Sequence, residues 1–191
     1  MVYYILENYL KGTAAKTLLI LSDSHGRPDR VAEAIKRVKP DGILFAGDGL
    51  RDLAYIDLPA STGACPLWVV KGNCDWMISP VVVGDTVLEA EDEELITVEG
   101  IRILLMHGHR YGVKGGLGSA IAHAVSRDAD VLVFGHTHMP AELHLSPDRA
   151  CDVSVKKPLT VFNPGSLGDR GASFGTLTIR DGQMLFGHGE L

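Results

Sequence analysis

The sequence predicts an α/β sandwich, two packed mixed sheets flanked by helices, and three observations lead there. Short, wholly apolar runs such as TLLIL and VLVF read as strands buried on both faces, because a strand with one wet face alternates polar and apolar residues. The first half interleaves such runs with a helical pattern to give βαβαβ, whereas the second half carries hairpin signals. Hydrophobic residues make up 46% of the 191 residues and charged ones 22%, the composition of a globular domain with a substantial core.

Residues 1–16, MVYYILENYLKGTAAK, are expected to form an extension ahead of a single domain spanning 17–191. They have no basic leading segment and carry Glu7, Asn8 and Lys11 within the apolar stretch, which argues against a signal peptide or a membrane span. The apolar MVYYILENYL leaves a homodimer contact open. Thr17 to Leu21 predicts the first strand. In DRVAEAIKRVK, Val31, Ala34, Ile35 and Val38 recur at helical spacing, and Pro40 stops the helix. GILFAGDG reads as a second strand ending in Gly-Asp-Gly, residues 50–60 as a second, weaker helix, and LWVVKGNCD as a third strand with a glycine-containing loop. The acidic run from Glu89 to Glu94 reads as a solvated strand or loop edge. ELITV and IRILLMH flank a Glu99-Gly100 turn and predict a hairpin. LGSAIAHAVSRDA predicts a helix and VLVFGHTH another buried strand, while PLTVFNPGS, FGTLTIRDG and QMLFGH read as antiparallel strands joined by glycine turns.

Charge and cysteine content narrow the function classes. A formal net charge of −6 argues against a partner such as long nucleic acid, though not against a small anionic substrate, since a bound cation can reverse the potential of one cleft. Cys65, Cys74 and Cys151 are odd in number and irregularly spaced. They make neither a disulfide framework nor a CxxC zinc site, so a cytoplasmic location is expected.

The chemistry lies at the ends of the strands. Asp23 and His25 come after the first, Asp48 after the second, Asn73 and Asp75 after the third; His107 and His109 come after IRILLM, and His136 and His138 after VLVF. Each group taken singly has a plain explanation as a turn or helix cap. Five of them at five strand ends are different, because a sandwich brings such ends to one edge. Mixed oxygen and nitrogen donors suit manganese, iron, nickel, cobalt or zinc better than calcium. Seven candidate ligands, counting two aspartates, one asparagine and several histidines, are too many for one open ion and suit two held about 3.5 Å apart.

In order, DSH, GDG, GNCD, HGH and GHTH, with NPGS at 163–166, resemble the motif series of the calcineurin-like metallophosphoesterases, most closely the small, single-domain phosphodiesterase branch. The resemblance implies a metallophosphoesterase-like sandwich holding two divalent metal ions per chain, manganese first, with nickel, iron, cobalt or zinc also suitable. It places Asp23, His25 and His138 on one ion, Asn73, His107 and His136 on the other, and Asp48 on both. It further implies attack on phosphorus by a hydroxide between the ions, in a small soluble phosphate ester. On an extended chain His136 and His138 share a side of the backbone about 6–7 Å apart, with Thr137 facing away.

The series departs from many relatives at Cys74, where they carry a histidine that helps the leaving group depart. That leaves the general acid open: His109 is the candidate, against a substrate contact or loop hydrogen bonding. Asn73 and Asp75 complete the catalytic set, Asp75 either orienting a neighbour or capping a turn. Cys74 is rejected as a nucleophile because an apolar wall would keep its thiol protonated. Trp68 is expected in the core and Trp76 as an apolar wall for a leaving group; Arg170 reads as an exposed loop arginine. His123, His144 and His188 are assigned to helix surface, strand and tail. Two alternatives stay open, a non-catalytic scaffold or interaction module on the same fold, and a phosphomonoesterase.

Overall fold

The computed structural model describes residues 14–56, 65–76, 80–84, 86–147 and 154–191. Most of the expected extension, residues 57–60 of the expected second helix, and Cys151 lie outside the described residues. In chain order the strands are β1 (Lys16–Leu21), β2 (Gly42–Phe45), β3 (Leu67–Val69), β4 (Val81–Val83), β5 (Thr86–Leu88), β6 (Glu93–Val98), β7 (Ile101–Met106), β8 (Val131–Val133), β9 (Ala141–Leu145), β10 (Leu159–Asn163), β11 (Ser173–Arg180) and β12 (Gln183–Glu190). The helices are α1 (Pro28–Val38) and α2 (Gly118–Ser126). No described helix is long and apolar enough to cross a membrane.

Two five-stranded sheets face each other, ordered β12-β11-β1-β2-β3 and β6-β7-β8-β10-β9, with β4-β5 as a small separate ribbon. The apolar runs explain the layering. Along β1, Leu18 and Ile20 enter the core between the sheets with Leu105, Val133 and Phe162, while Leu19 and Leu21 pack outward with Val31, Ala34 and Ile35 of α1. The second sheet repeats the device: Ile103 and Val131 face inward, and Leu104 and Leu132 meet Ala120, Ile121 and Ala124 of α2. Alternation by two residues thus feeds two cores from one strand. Pro28 starts α1, with Asp29 in its first turn and Lys36 and Arg37 in its last, charges that suit the helix dipole.

Two expectations are corrected. The segment after β2 is a 3-10 helix, Leu50–Tyr55, rather than an α-helix. β10 runs parallel to β8 and antiparallel to β9, so PLTVFNPGS is not part of a purely antiparallel tail; its wholly buried side chains need neighbours on both edges. β9 itself, whose middle residues are exposed, has too little apolar pattern to read from sequence. The Glu99-Gly100 hairpin forms as expected, with β6 antiparallel to β7.

The site is positioned by strand direction. β1, β2 and β3 are mutually parallel, as are β7 and β8, so each sheet sends its ligand-bearing carboxyl ends to one edge.

Candidate metal centre

At that edge the predicted residues meet in three overlapping groups: Asp23, His25 and His138; His25, Asp48 and Cys74; and Asp48, His107 and His136, the candidate ligand atoms of each lying within 4.8 Å of one another. Asp23, His25 and Asp48 come from the first sheet, the other histidines from the second. His136 and His138 do belong to different groups, but not because the chain is extended there. Their φ values are 66° and 62°, and Asp23, His25 and Asp48 are also left-handed at 53°, 44° and 56°. Non-glycine residues avoid this region, at a cost of about 1–3 kcal/mol each. Thr137, expected to face away, instead accepts a hydrogen bond at Oγ1 from Asn163 Nδ2 at 3.1 Å.

The strained turns are tied from outside. The Asp23 N–H donates to Gly47 O at 2.9 Å and the Gly135 N–H to His107 O at 3.1 Å. Asp75, 1% exposed, accepts four backbone N–H groups, from Asp48 (2.7 Å), Gly49 (3.1 Å), Leu50 (3.0 Å) and Gly72 (3.0 Å). It thereby ties the Asp48 turn and the start of the following 3-10 helix to the Gly72 loop. Asp52 does the same for the first turn, accepting from Ser24 Oγ at 2.5 Å and the Gly26 N–H at 2.9 Å. Ser166 Oγ donates to Asp23 O, and the Gly168 N–H to the same oxygen. Sequence reasoning missed Asp52, Ser166 and Asp169; only the NPGS resemblance pointed at this loop.

Histidine chemistry shows what the centre needs. His107 Nδ1 lies 2.7 Å from Ala46 O, an atom that can only accept, so that nitrogen carries the proton. Its Nε2 then faces Asp48 Oδ2 at 3.3 Å and Asp23 Oδ1 at 4.0 Å. His138 repeats the arrangement: Nδ1 donates to Asp169 Oδ2 at 3.0 Å, while Nε2 lies 3.2 Å from Asp23 Oδ1 and 3.3 Å from His25 Nε2. Asp23 Oδ1 and His107 Nε2 are buried without a hydrogen bond, an expensive state for acceptors facing acceptors. A cation among them resolves it, and carboxylate and imidazole donors suit a divalent transition metal.

The ionisable groups of the centre also shift one another. Burial pushes the Asp23 carboxyl up, against the pull of His107 and Ser22. For Asp48, burial is overcome by His107 and the Cys74 N–H, and the carboxyl falls well below its usual range. Burial lowers His107, but the Asp48 and Asp23 carboxylates outweigh it and the net shift is upward. Burial and the neighbouring His107 hold His136 down at about 4.

The remaining candidates lie around the rim. His109 is half-buried, its ring 5.4 Å from that of His107 and 6.2 Å from that of His136, and it belongs to none of the three groups. Asn73 is exposed at the end of β3, its amide donating to Cys74 Sγ at 3.2 Å. Cys74 is exposed, yet desolvation of its sulfur and then the nearby Asp48 carboxylate push its thiol up to about 11, so it stays protonated. Arg170 is exposed, as expected. Trp68 is half-buried against the inter-sheet core, and Trp76 is 80% exposed. His123 is not a bare surface residue: it pairs with Glu93 at 2.8 Å and stacks on Tyr111. Glu93 also receives the Tyr111 hydroxyl at 2.7 Å and Arg127, which corrects the reading of the acidic run as wholly solvated. His144 pairs with Glu142, and His188, in β12, stacks on Phe162.

Known proteins are similar to this chain in sequence and in fold. Residues 17–182 match the profile of the calcineurin-like phosphoesterase superfamily domain. The chain is 32% identical over 152 residues to the probable metallophosphoesterase YsnB of Bacillus subtilis, a match covering 78% of this chain and 74% of the relative. With the phosphodiesterase YfcE of Escherichia coli it shares 27% identity over 180 residues, covering 84% and 86%. Vacuolar Protein Sorting 29 from Cryptosporidium parvum superposes with a TM-score of 0.65 over 94% of this chain and 99% of that one. At 18% identity this last likeness concerns the fold alone.

Proposed function

This chain belongs to the calcineurin-like phosphoesterase superfamily, and on that premise we propose that it is a two-metal phosphodiesterase acting on a small soluble phosphate ester. What carries the reading is the pair of acceptor clusters in which His107 and His138 each spend Nδ1 on an acceptor and turn Nε2 toward Asp48 or Asp23. Asp23, His25 and His138 would hold one ion, and Asn73, His107 and His136 the other. Asp48 would serve both, since it belongs both to the His107–His136 group and to the His25–Cys74 group. Divalent ions there would supply Lewis acidity and draw a nucleophile from water. Manganese is the first choice, with nickel, iron, cobalt and zinc compatible with the same donors.

The chain's own residues orient and move protons. Asp75 and Asp52 hold the turns that carry Asp48, Asp23 and His25. Asp169 keeps the proton of His138 on Nδ1 and so turns Nε2 inward. His109 would give a proton to the departing oxygen. Burial, then the charges of His107 and Arg110, hold it below 6.5, and an arriving phosphate anion would favour its charged form.

The test is to strip the protein of metal, restore manganese, and compare bis(4-nitrophenyl) phosphate with 4-nitrophenyl phosphate. Manganese-dependent turnover favouring the diester, lost in Asp48→Ala, is the expected result. Preference for the monoester would make the protein a phosphatase. Two bound ions without turnover of either would favour a scaffold on the same fold, and two ions bound normally by Asp48→Ala would end the bridging assignment.

A further inference from the structure

A cavity of about 390 Å³ opens beside the centre, lined by His25, Asp48 and Cys74 and, beyond them, by Arg51 and Trp76. That volume lies in the range of small-molecule sites rather than of a bare phosphate. Its two outer side chains make no hydrogen bond, ion pair or ring contact among the described residues. The Trp76 indole is 80% exposed, although an indole usually buries its ring and pairs its N–H. Arg51, also exposed, makes no hydrogen bond or ion pair among the described residues. The other carboxylates of the lining are engaged: Asp52 with Ser24 and Gly26, and Asp75 with four backbone N–H groups. Arg51 is therefore a cation left for a ligand.

We propose that this cavity binds the planar, acceptor-bearing group of a nucleotide-type ester, its ring stacked on Trp76 and its edge acceptors met by Arg51, while the phosphate sits at Asp48 and His25. An aromatic face binds any nucleobase without needing a particular one, and a guanidinium offers several N–H donors in one plane to ring acceptors. The assignment rests on the phosphoesterase reading, because it is the centre that places a phosphate at the cavity's inner side.

The test is a pair of calorimetric titrations of the manganese-loaded protein, with adenosine 5′-monophosphate and with ribose 5-phosphate, which differ only in the base. The nucleotide is expected to bind about tenfold or more tightly, the gain one stacked base typically brings. Trp76→Ala should bring the affinity ratio close to one, Trp76→Phe should keep most of it, and Arg51→Gln should lower it several-fold. Equal affinities in the parent protein, or a ratio untouched by Trp76→Ala, would overturn the assignment. Arg51→Gln weakening both ligands equally would place that guanidinium on the phosphate and remove it from the base contact. The two readings fail separately. Turnover of bis(4-nitrophenyl) phosphate without base discrimination sinks the cavity assignment alone, whereas base discrimination without turnover of any ester sinks the hydrolase and leaves the nucleotide site.

Discussion

Asp169 stands outside the metal groups, yet it controls one of their histidines. Its carboxylate can only accept, so the proton of His138 stays on Nδ1 and the lone pair on Nε2. Arg30 holds the backbone carbonyl of Asp169 and that of Leu167, which fixes the loop. Asp169→Asn should weaken the affinity of one ion about 10–100-fold and leave the other nearly unchanged, measurable by competition with a chromophoric chelator. Equal weakening of both ions would mean a global disturbance instead. His109 admits a kinetic test. A proton donor contributes about 10²–10⁴-fold where the leaving group is basic, and little where it is nitrophenolate. His109→Gln should therefore slow an alkyl leaving group far more than a nitrophenyl one; uniform slowing would assign the ring to binding.

Among the elements, the turns after β1, β2 and β8 matter more than the strands. Five candidate ligands sit in left-handed backbone, and the turns persist because other residues tie them down. Gly72 shows how tight the packing is: a Cβ there would fall 2.0 Å from Asp48 Oδ1 and 2.4 Å from the Asp48 nitrogen. Gly72→Ala should lower stability by roughly 1–3 kcal/mol and displace the Asp48 turn, read as a lower denaturant midpoint together with lost metal. A second device joins β6 to α2. At Glu93 burial raises the carboxyl, but bonds from Tyr111 and His123 and the charge of Arg127 win, leaving it below its usual 4.5. A depressed carboxyl stabilises the fold above its unfolded pKa and loses that contribution as pH falls through the folded value. Glu93→Gln should therefore melt below the parent protein at neutral pH, with the gap shrinking in acid; a gap constant with pH would show that charge plays no part.

On the scale of the whole molecule, the centre is a seam. Asp23, His25 and Asp48 come from one sheet and His107, His136 and His138 from the other, so ions bound there would clamp the sandwich at its edge. Each ion at about a hundredfold over its dissociation constant would add roughly 2.7 kcal/mol, about 5–10 °C in Tm for a domain of this size. Calorimetry with a chelator and after manganese is restored would read this directly; an unchanged Tm would argue against the seam. The core between the sheets centres on Phe162, fully buried and so close to Gly175 that a Cβ there would meet its ring at 2.3 Å. Phe162→Ala should cost about 3–5 kcal/mol, seen in denaturant melts. The sequence by itself determined most of the strands, both α-helices and the residue types of the centre. Those signals are local: an apolar run needs burial on both faces, and a polar, glycine-flanked end shows where burial stops. Tertiary structure alone decided that β10 lies parallel between β8 and β9, that the turns of the candidate ligands are left-handed, that Asp75 and Asp169 hydrogen-bond to the Asp48 turn and to His138, and that Glu93 has partners. Each depends on segments distant in the chain, such as Ser166 and Asp23, 143 residues apart. Their pairing is chosen by whichever packing buries both faces of the central strands, which no local pattern encodes.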